Sequence, residues 1–207
     1  MQKGKLTIVR HGESTWNAEE RFAGSSDVPL TEKGREQARA AGQALSLIHF
    51  DLVFTSRLDR AKETFLIMKP YLNEKTPNKI EEEELNERHF GVLEGLRKSD
   101  LAASYGSAQI ERWRFDFDEP MPEGHGETFR DLSDRVWRFF ETRVAEKIAE
   151  GKHVLIVAHG QVLRSLCMRL EGALPLEARS YYVENAAPIT FIHHDQDGTF
   201  RRICGSE

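Results

Sequence analysis

Three continuous apolar runs stand out along the chain: Leu6-Thr7-Ile8-Val9, Leu52-Val53-Phe54-Thr55 and Val154-Leu155-Ile156-Val157-Ala158. Short unbroken runs of this kind are the pattern of parallel strands buried on both faces. Between them, apolar positions return at helical spacing. Ala38, Ala41, Ala44 and Leu45 do so over 32–47, behind Thr31 as an N-cap. Phe129, Leu132, Val136, Phe139, Phe140 and Val144 form a broad apolar face behind Thr128, and Thr128 with Asp131 makes a capping box. Further helices are predicted over 58–69, where Pro70 marks the end, and over 98–105, 109–115 and 161–170. Residues 80–85 read as an edge strand, and the acidic run Glu81 to Glu84 as a solvated face. Residues 11–30 and 116–126 carry the glycines, prolines and polar residues of loops.

Strands alternating with helices imply an α/β fold. The predicted arrangement is a three-layer α/β/α sandwich around a mostly parallel sheet. A last pair of strands, 189–193 and 200–204, is separated by Asp195-Gln196-Asp197-Gly198, a hairpin signal that adds one antiparallel strand. A chain of 207 residues without repeat, low-complexity segment or linker reads as a single domain, 1–207.

Composition changes this picture little. Hydrophobic residues make up 39% and charged residues 30%, a balance that supports a sizeable core. The net charge of −5 argues against general nucleic-acid binding but leaves an anionic substrate open, since local arginines decide that. No apolar stretch approaches the roughly 20 residues of a membrane span. Met1 to Lys5 runs into the first strand without an apolar signal region, so a cytoplasmic protein is expected. Cys167 and Cys204 show no pairing pattern and read as free thiols. No metal-ligand spacing occurs, and no metal is expected.

Two of the runs end in the same way. Arg10-His11-Gly12-Glu13 closes the first, and His159-Gly160 closes the third. Ligands of open α/β sheets sit at the carboxyl ends of the strands. If these strands are neighbours, both imidazoles face one pocket. A neutral imidazole attacks phosphorus without a deprotonating base, and nearby guanidinium groups keep it neutral. A strand-end histidine alone reads as readily as a hydrogen-bonded structural residue, so the surroundings decide. Arg10 adjoins His11. Ser56-Arg57-Leu58-Asp59-Arg60 opens a helix after the second run, which lets Arg60 point back toward the sheet edge, with Arg57 as the other candidate. Glu87, in the irregular stretch 85–95, is a candidate general acid for a leaving oxygen, a role that burial or the phosphate's own charge must support. Gly12 reads as a place where backbone approaches phosphate closely. Cationic donors, an in-line nucleophile and a proton donor are what phosphoryl transfer needs.

These residues stand in blocks that resemble the histidine phosphatase superfamily, and within it the cofactor-dependent phosphoglycerate mutases. The first is Arg10-His11-Gly12-Glu13-Ser14 with Trp16-Asn17, then Phe22-Ala23-Gly24 with Asp27, Leu30-Thr31 and Gly34. Phe54-Thr55-Ser56 with Arg60-Ala61 and Thr64 follows. Leu85-Asn86-Glu87-Arg88 comes next, with Gly91, Leu93, Gly95, Leu96 and Lys98. Gln109, Trp113-Arg114, Gly126-Glu127-Thr128 and Ala158-His159-Gly160 with Leu163-Arg164 complete the likeness, which spans nearly the whole chain. It implies that His11 carries a phosphoryl group, that Arg10, Arg60 and His159 bind it, and that Glu87 is the acid and base. It implies substrate contacts from Ser14, Asn17, Ala23, Gly24, Arg88, Phe90, Lys98, Arg114, Phe115, Gly160 and Gln161.

The reaction implied is interconversion of 2- and 3-phosphoglycerate with 2,3-bisphosphoglycerate as phosphoryl donor. The expected partner is a small phosphorylated metabolite, with no nucleic acid and no membrane. Many members of the family dimerise, so a homodimer is implied, although no residue here marks it. Departures point elsewhere. The mutases usually have Thr at Ala23, Tyr at Phe90, a second Arg at Phe115 and Asn-Ser at Gln161-Val162. Each change removes a polar contact to a second phosphate or a carboxylate. The chain also ends soon after its last strand, where mutases often use a tail to close the mouth. A phosphomonoesterase acting on a small phosphorylated metabolite is the alternative. A non-catalytic protein that binds phosphorylated ligands is the third reading.

Overall fold

The computed structural model describes residues 4–194 and 198–203. A six-stranded sheet runs in the order β3-β2-β4-β1-β5-β6, with β1 (Lys5–Arg10), β2 (Leu52–Ser56), β3 (Ile80–Glu82), β4 (His153–Ala158), β5 (Ile189–His194) and β6 (Thr199–Ile203). The first four are mutually parallel. β5 runs against both of its neighbours and is the antiparallel strand that the pattern predicts. The predicted turn residues Asp195 to Asp197, and Cys204, lie outside the described residues, as do the first three and last three positions.

The helices are α1 (Thr15–Ala18), α2 (Glu32–Ala44), α3 (Asp59–Met68), α4 (Lys98–Tyr105), α5 (Ser107–Phe115), α6 (Phe129–Phe139), α7 (Ala145–Ala149) and α8 (Gly160–Leu170). Side chains alternate across a strand. Leu6, Ile8, Val154 and Ile156 therefore share one face, which α6, α7 and α8 cover. Val9, Val53, Leu155 and Val157 share the other, under α2 and α3. These are the three predicted layers. No described helix is long and apolar enough to cross a membrane. A separate apolar cluster of Phe22, Phe90, Leu93, Leu101, Ile110, Trp113 and Met121 ties α4 and α5 to the loops at 22 and 90–93.

Several boundaries differ from the pattern for local reasons. α2 stops at Ala44, and Leu45 is its C-cap. α3 gives way at Lys69–Tyr71 to a tighter 3-10 turn around Pro70, which cannot continue the helical ladder. β3 is cut short because Glu83–Leu85 coils into another such turn. The loop after β1 contains α1, closed by reciprocal bonds between Ser14 and Asn17. The apolar face of α6 continues through a π turn, Phe140–Val144, that keeps both end residues in the core.

β1 and β4 lie side by side, paired from Lys5 with His153 to Arg10 with Ala158. The chain leaves β1 toward α2 on one face and leaves β4 into α8 on the other. A crevice opens at the carboxyl ends of strands whose connections diverge in this way.

The loop after β1 rests directly on α2. A Cβ on Gly12 would lie 2.2 Å from the Gly34 carbonyl oxygen, and one on Gly34 would lie 2.1 Å from that of Glu13. Gly12 thus admits a helix to close approach, where the sequence suggested a ligand. Helix propensity favours Gly34→Ala by about 1 kcal/mol. Overpacking against backbone that cannot move aside costs roughly 1–3 kcal/mol or more. A Cβ 2.1 Å from a backbone oxygen puts the cost at the top of that range, so Gly34→Ala should lose about 2 kcal/mol or more in urea unfolding. A variant as stable as the parent would show that the loop is not seated this way.

Candidate active site

The two histidines continue the edges of adjacent strands. The His11 backbone N–H donates to Ala158 O at 2.9 Å, extending the β1–β4 pairing by one residue. The rings face each other with centroids 5.1 Å apart and an interplanar angle of 57°. Both are buried, His11 at 2% and His159 at 0% exposure, so their charge states are set by the protein and not by water. The Asn185 amide donates to His11 O at 2.8 Å and holds the strand end from the far side.

Hydrogen bonds fix each tautomer. His11 Nδ1 lies 2.6 Å from Gly12 O, and a carbonyl only accepts. A neutral His11 therefore carries its proton on Nδ1 and keeps a lone pair on Nε2. His159 has the opposite arrangement. Arg60 Nε donates to its Nδ1 at 3.2 Å, so its proton sits on Nε2, 2.6 Å from Ser56 Oγ. Burial drives both imidazoles well below the ordinary histidine pKa. The Arg60 and Arg10 charges add to this at His11, and Arg60 followed by His11 at His159. With both nitrogens engaged, His159 has no free hydrogen bond for the phosphoryl group that the resemblance implied it binds. Its ring orders Arg60 instead.

Arg60 is fully buried in the first turn of α3. A buried cation is costly unless its donors are paired. Here Nη1 donates to Ser26 O at 2.6 Å and Nη2 to Gly24 O at 2.7 Å. Arg57, the other candidate, is largely exposed and pairs with Glu83 at 2.7 Å. Arg10 donates through Nη1 to Val183 O at 3.0 Å, while its buried Nε has no partner among the described residues. A Cβ on Gly160 would lie 3.4 Å from its Cζ, an ordinary contact, so the Arg10 guanidinium packs directly against the start of α8. An unpaired buried N–H beside a neutral imidazole is a ready anion donor.

Glu87 reaches the same cleft from the segment after β3. Its Oε1 accepts the Arg88 N–H at 2.9 Å, and its Oε2 accepts the Gln161 N–H at 3.2 Å, at the N-terminus of α8. Arg135 of α6, which sequence reasoning missed, clamps the segment by donating to Glu84 O at 2.5 Å and Asn86 O at 2.8 Å.

The cleft has a volume of about 350 Å³. Of the residues named from the sequence, Arg10, His11, Asn17, Ala23, Gly24 and Arg60 line it, and so do Glu87, Phe90, Lys98, Arg114, Gly160 and Gln161. Glu13, Glu20, Arg21, Phe22, Arg164, Tyr182 and Asn185 also line it and were not assigned from sequence. Arg164 had a usable signal: it lies one helical turn from Gln161, and its Nη1 donates to Gln161 Oε1 at 3.2 Å. Burial lowers the Lys98 pKa, and Arg114 adds to it; the same two causes bring Arg164 down to about 10. Cations crowded this closely favour an anionic guest.

Three predicted substrate contacts lie elsewhere. Ser14 is buried and its Oγ accepts the Asn17 N–H at 3.3 Å as the cap of α1. Arg88 is fully buried, donates to Glu127 O at 2.9 Å and Trp113 O at 2.7 Å, and lies over the Phe90 ring at 5.2 Å. It is a pillar between the Glu87 segment and the end of α5. Phe115 stands outside the cleft, with Arg114 and Arg164 each 4.6 Å from its ring centre and Arg179 at 5.8 Å.

Residues 6–204 match the histidine phosphatase superfamily, branch 1, and the chain belongs to that superfamily. It is 40% identical over 198 residues to the 2,3-bisphosphoglycerate-dependent phosphoglycerate mutase 2 of Gloeobacter violaceus, covering 96% of this chain and 89% of that one. Among solved structures it is similar to the alpha-ribazole phosphatase of Shigella flexneri, with a TM-score of 0.80 and 30% identity over 95% of this chain and 94% of that chain. It is also similar to a phosphoglycerate mutase from Bacillus anthracis, with a TM-score of 0.81 and 26% identity over 97% of this chain and 91% of that chain. The protein is thus an enzyme of phosphotransferase or phosphatase type, which sets aside the non-catalytic reading.

Neutral buried histidines make stability pH-dependent. Burial holds His11 and His159 well below the ordinary value, and brings His153 down to about 4. The unfolded chain protonates all three near pH ~6.5. Below that point the unfolded state binds more protons, so stability falls as pH falls. Each histidine contributes up to about 1.4 kcal/mol per pH unit. Urea unfolding followed from about pH 7.5 to about pH 5 should show a progressive loss. A flat profile would mean that the imidazoles are charged in the native state.

Proposed function

We propose that this enzyme interconverts 2- and 3-phosphoglycerate in a 2,3-bisphosphoglycerate-dependent reaction, with His11 carrying the phosphoryl group. One observation carries the mutase reading. Arg60 and Arg10 are the charges that act on His11, and two guanidinium groups suffice for one phosphoryl group. Lys98, Arg114 and Arg164 line the same cleft in addition. That surplus of cations suits a substrate with a second anionic group, as a phosphoglycerate has. The identity to the Gloeobacter mutase supports the same reading.

The chemistry follows from the tautomers and donors. His11 Nε2 directs its lone pair at phosphorus. The N–P bond forms as the bond from phosphorus to the leaving oxygen breaks, and Glu87 gives that oxygen a proton. In the return step a hydroxyl oxygen takes the phosphoryl group, Glu87 takes the hydroxyl proton and the N–P bond breaks. Arg10 Nε and the remaining Arg60 donors stabilise charge on the equatorial oxygens. His159 keeps Arg60 in place. The surplus cations fit 2,3-bisphosphoglycerate, which when bound supplies the phosphoryl group that His11 carries. The expectation of a cytoplasmic enzyme goes with this reading.

A phosphomonoesterase is the second reading, with water as the acceptor. Phe90 supports it, since an apolar ring lines the cleft there. The likeness to the Shigella phosphatase supports it as well.

One preparation assayed for both activities separates the two. The mutase reading predicts isomerisation that requires added 2,3-bisphosphoglycerate, with little release of phosphate. Phosphate release without isomerisation would overturn it in favour of the phosphatase. Lys98→Met should lower mutase kcat/KM by roughly 10-fold to 100-fold, the effect of losing one charge-assisted contact. An unchanged value would remove Lys98 from substrate binding.

A further inference from the structure

The geometry points to Glu94 as a positioning residue of the phosphate pocket: we propose that its carboxylate fixes the loop that aims Arg60. The inference rests on the phosphohistidine reading above. The Arg60 guanidinium is oriented by two loop carbonyls, Gly24 O and Ser26 O, at 2.7 and 2.6 Å. Those carbonyls belong to residues 24–26, which form neither helix nor strand. Within the loop the Ser26 N–H donates to Ala23 O at 3.2 Å, and further anchors come from outside it.

Glu94 supplies these. Its Oε1 accepts from the Ser25 N–H at 3.0 Å and the Ser25 hydroxyl at 3.1 Å, and its Oε2 accepts from the Ser26 hydroxyl at 2.8 Å. Gly24 has φ +52°, and a Cβ there would lie 2.0 Å from Oε1, so the turn and the carboxylate share one space that only glycine leaves open. The same Oε1 accepts the Phe90 N–H at 3.0 Å, in the segment that carries Glu87. One carboxylate therefore joins the loop that aims the anion donor to the segment that carries the proton donor. His89 Nε2 lies 3.8 Å from Oε1, and Arg60 is the nearby buried cation. Glu94 is not among the residues that line the cleft, so its effect must pass through Arg60 and the loop.

Ala and Gln variants separate positioning from charge. Glu94→Gln keeps an oxygen for the Ser25 and Phe90 N–H groups, and its amide donates to the Ser26 hydroxyl. Rapid-quench labelling of His11 by 2,3-bisphosphoglycerate, inorganic phosphate affinity and Tm are measured for parent and variants. Glu94→Ala should slow labelling by roughly 10-fold to 100-fold, the scale of a displaced catalytic group. Glu94→Gln should recover most of the rate. Ser26→Ala, which removes one bond only, should give a smaller loss and serves if the Ala variant does not fold. Labelling at the parental rate in Glu94→Ala or Ser26→Ala, or equal loss in Gln and Ala, overturns the proposal. A parent that takes no label overturns the phosphohistidine reading instead, and the phosphate affinities then decide the role of Glu94.

Discussion

Two imidazoles held uncharged between guanidinium groups are the constraint on which the rest of this site depends. A histidine this deeply buried loses its proton because burial penalises the charged ring. Arg10 and Arg60 press the same way. The sheet makes the arrangement compulsory. β1 and β4 are neighbours and in register, so the residues that follow them emerge side by side. The Gly12 carbonyl then decides which nitrogen of His11 is free to act.

Burying arginine beside histidine creates a second demand. Among the described residues no carboxylate bonds to Arg60, and its donors are met by His159 and by loop carbonyls. The pocket and the loop around it are therefore a single hydrogen-bonded structure. Arg88 does similar work one layer out, joining the Glu87 segment to the end of α5 through carbonyl oxygens. Arg135 completes the frame from α6, pairing with Glu127 at 2.6 Å while it holds the backbone before Glu87. Charged side chains fix backbone position here, and the cations Lys98, Arg114 and Arg164 line the cleft, with Arg114 paired to Glu111 at 3.1 Å and Arg164 donating to Tyr181 O at 2.5 Å.

Much of this was legible in the chain. Continuous apolar runs located β1, β2 and β4, and a His-Gly after two of them located the crevice. Arg60 followed from its place in the first turn after a buried strand. What the pattern does not encode is the direction of an arginine. Arg88 sits beside Glu87 in the same block, yet it turns into the core, and nothing in its spacing separates a buried pillar from a ligand contact. Ser14 and Phe115 differ from expectation for the same reason: their partners, Asn17 and a group of arginines, are defined only once the helices are placed. Asn185 and Tyr182 come from the irregular stretch before β5, which has no periodicity to read. The tautomer of His159 depends on Arg60 and Ser56, residues remote from it in sequence.

His11 should react through Nε2, because its Nδ1 is committed to the Gly12 carbonyl. Mapping acid-labile phosphate in enzyme quenched during turnover, with the ring nitrogen assigned by phosphorus NMR of the isolated peptide, tests this most directly. The phosphoryl group should be found on His11 and on Nε2. Phosphate on Nδ1, on His159 or on neither ring would contradict it.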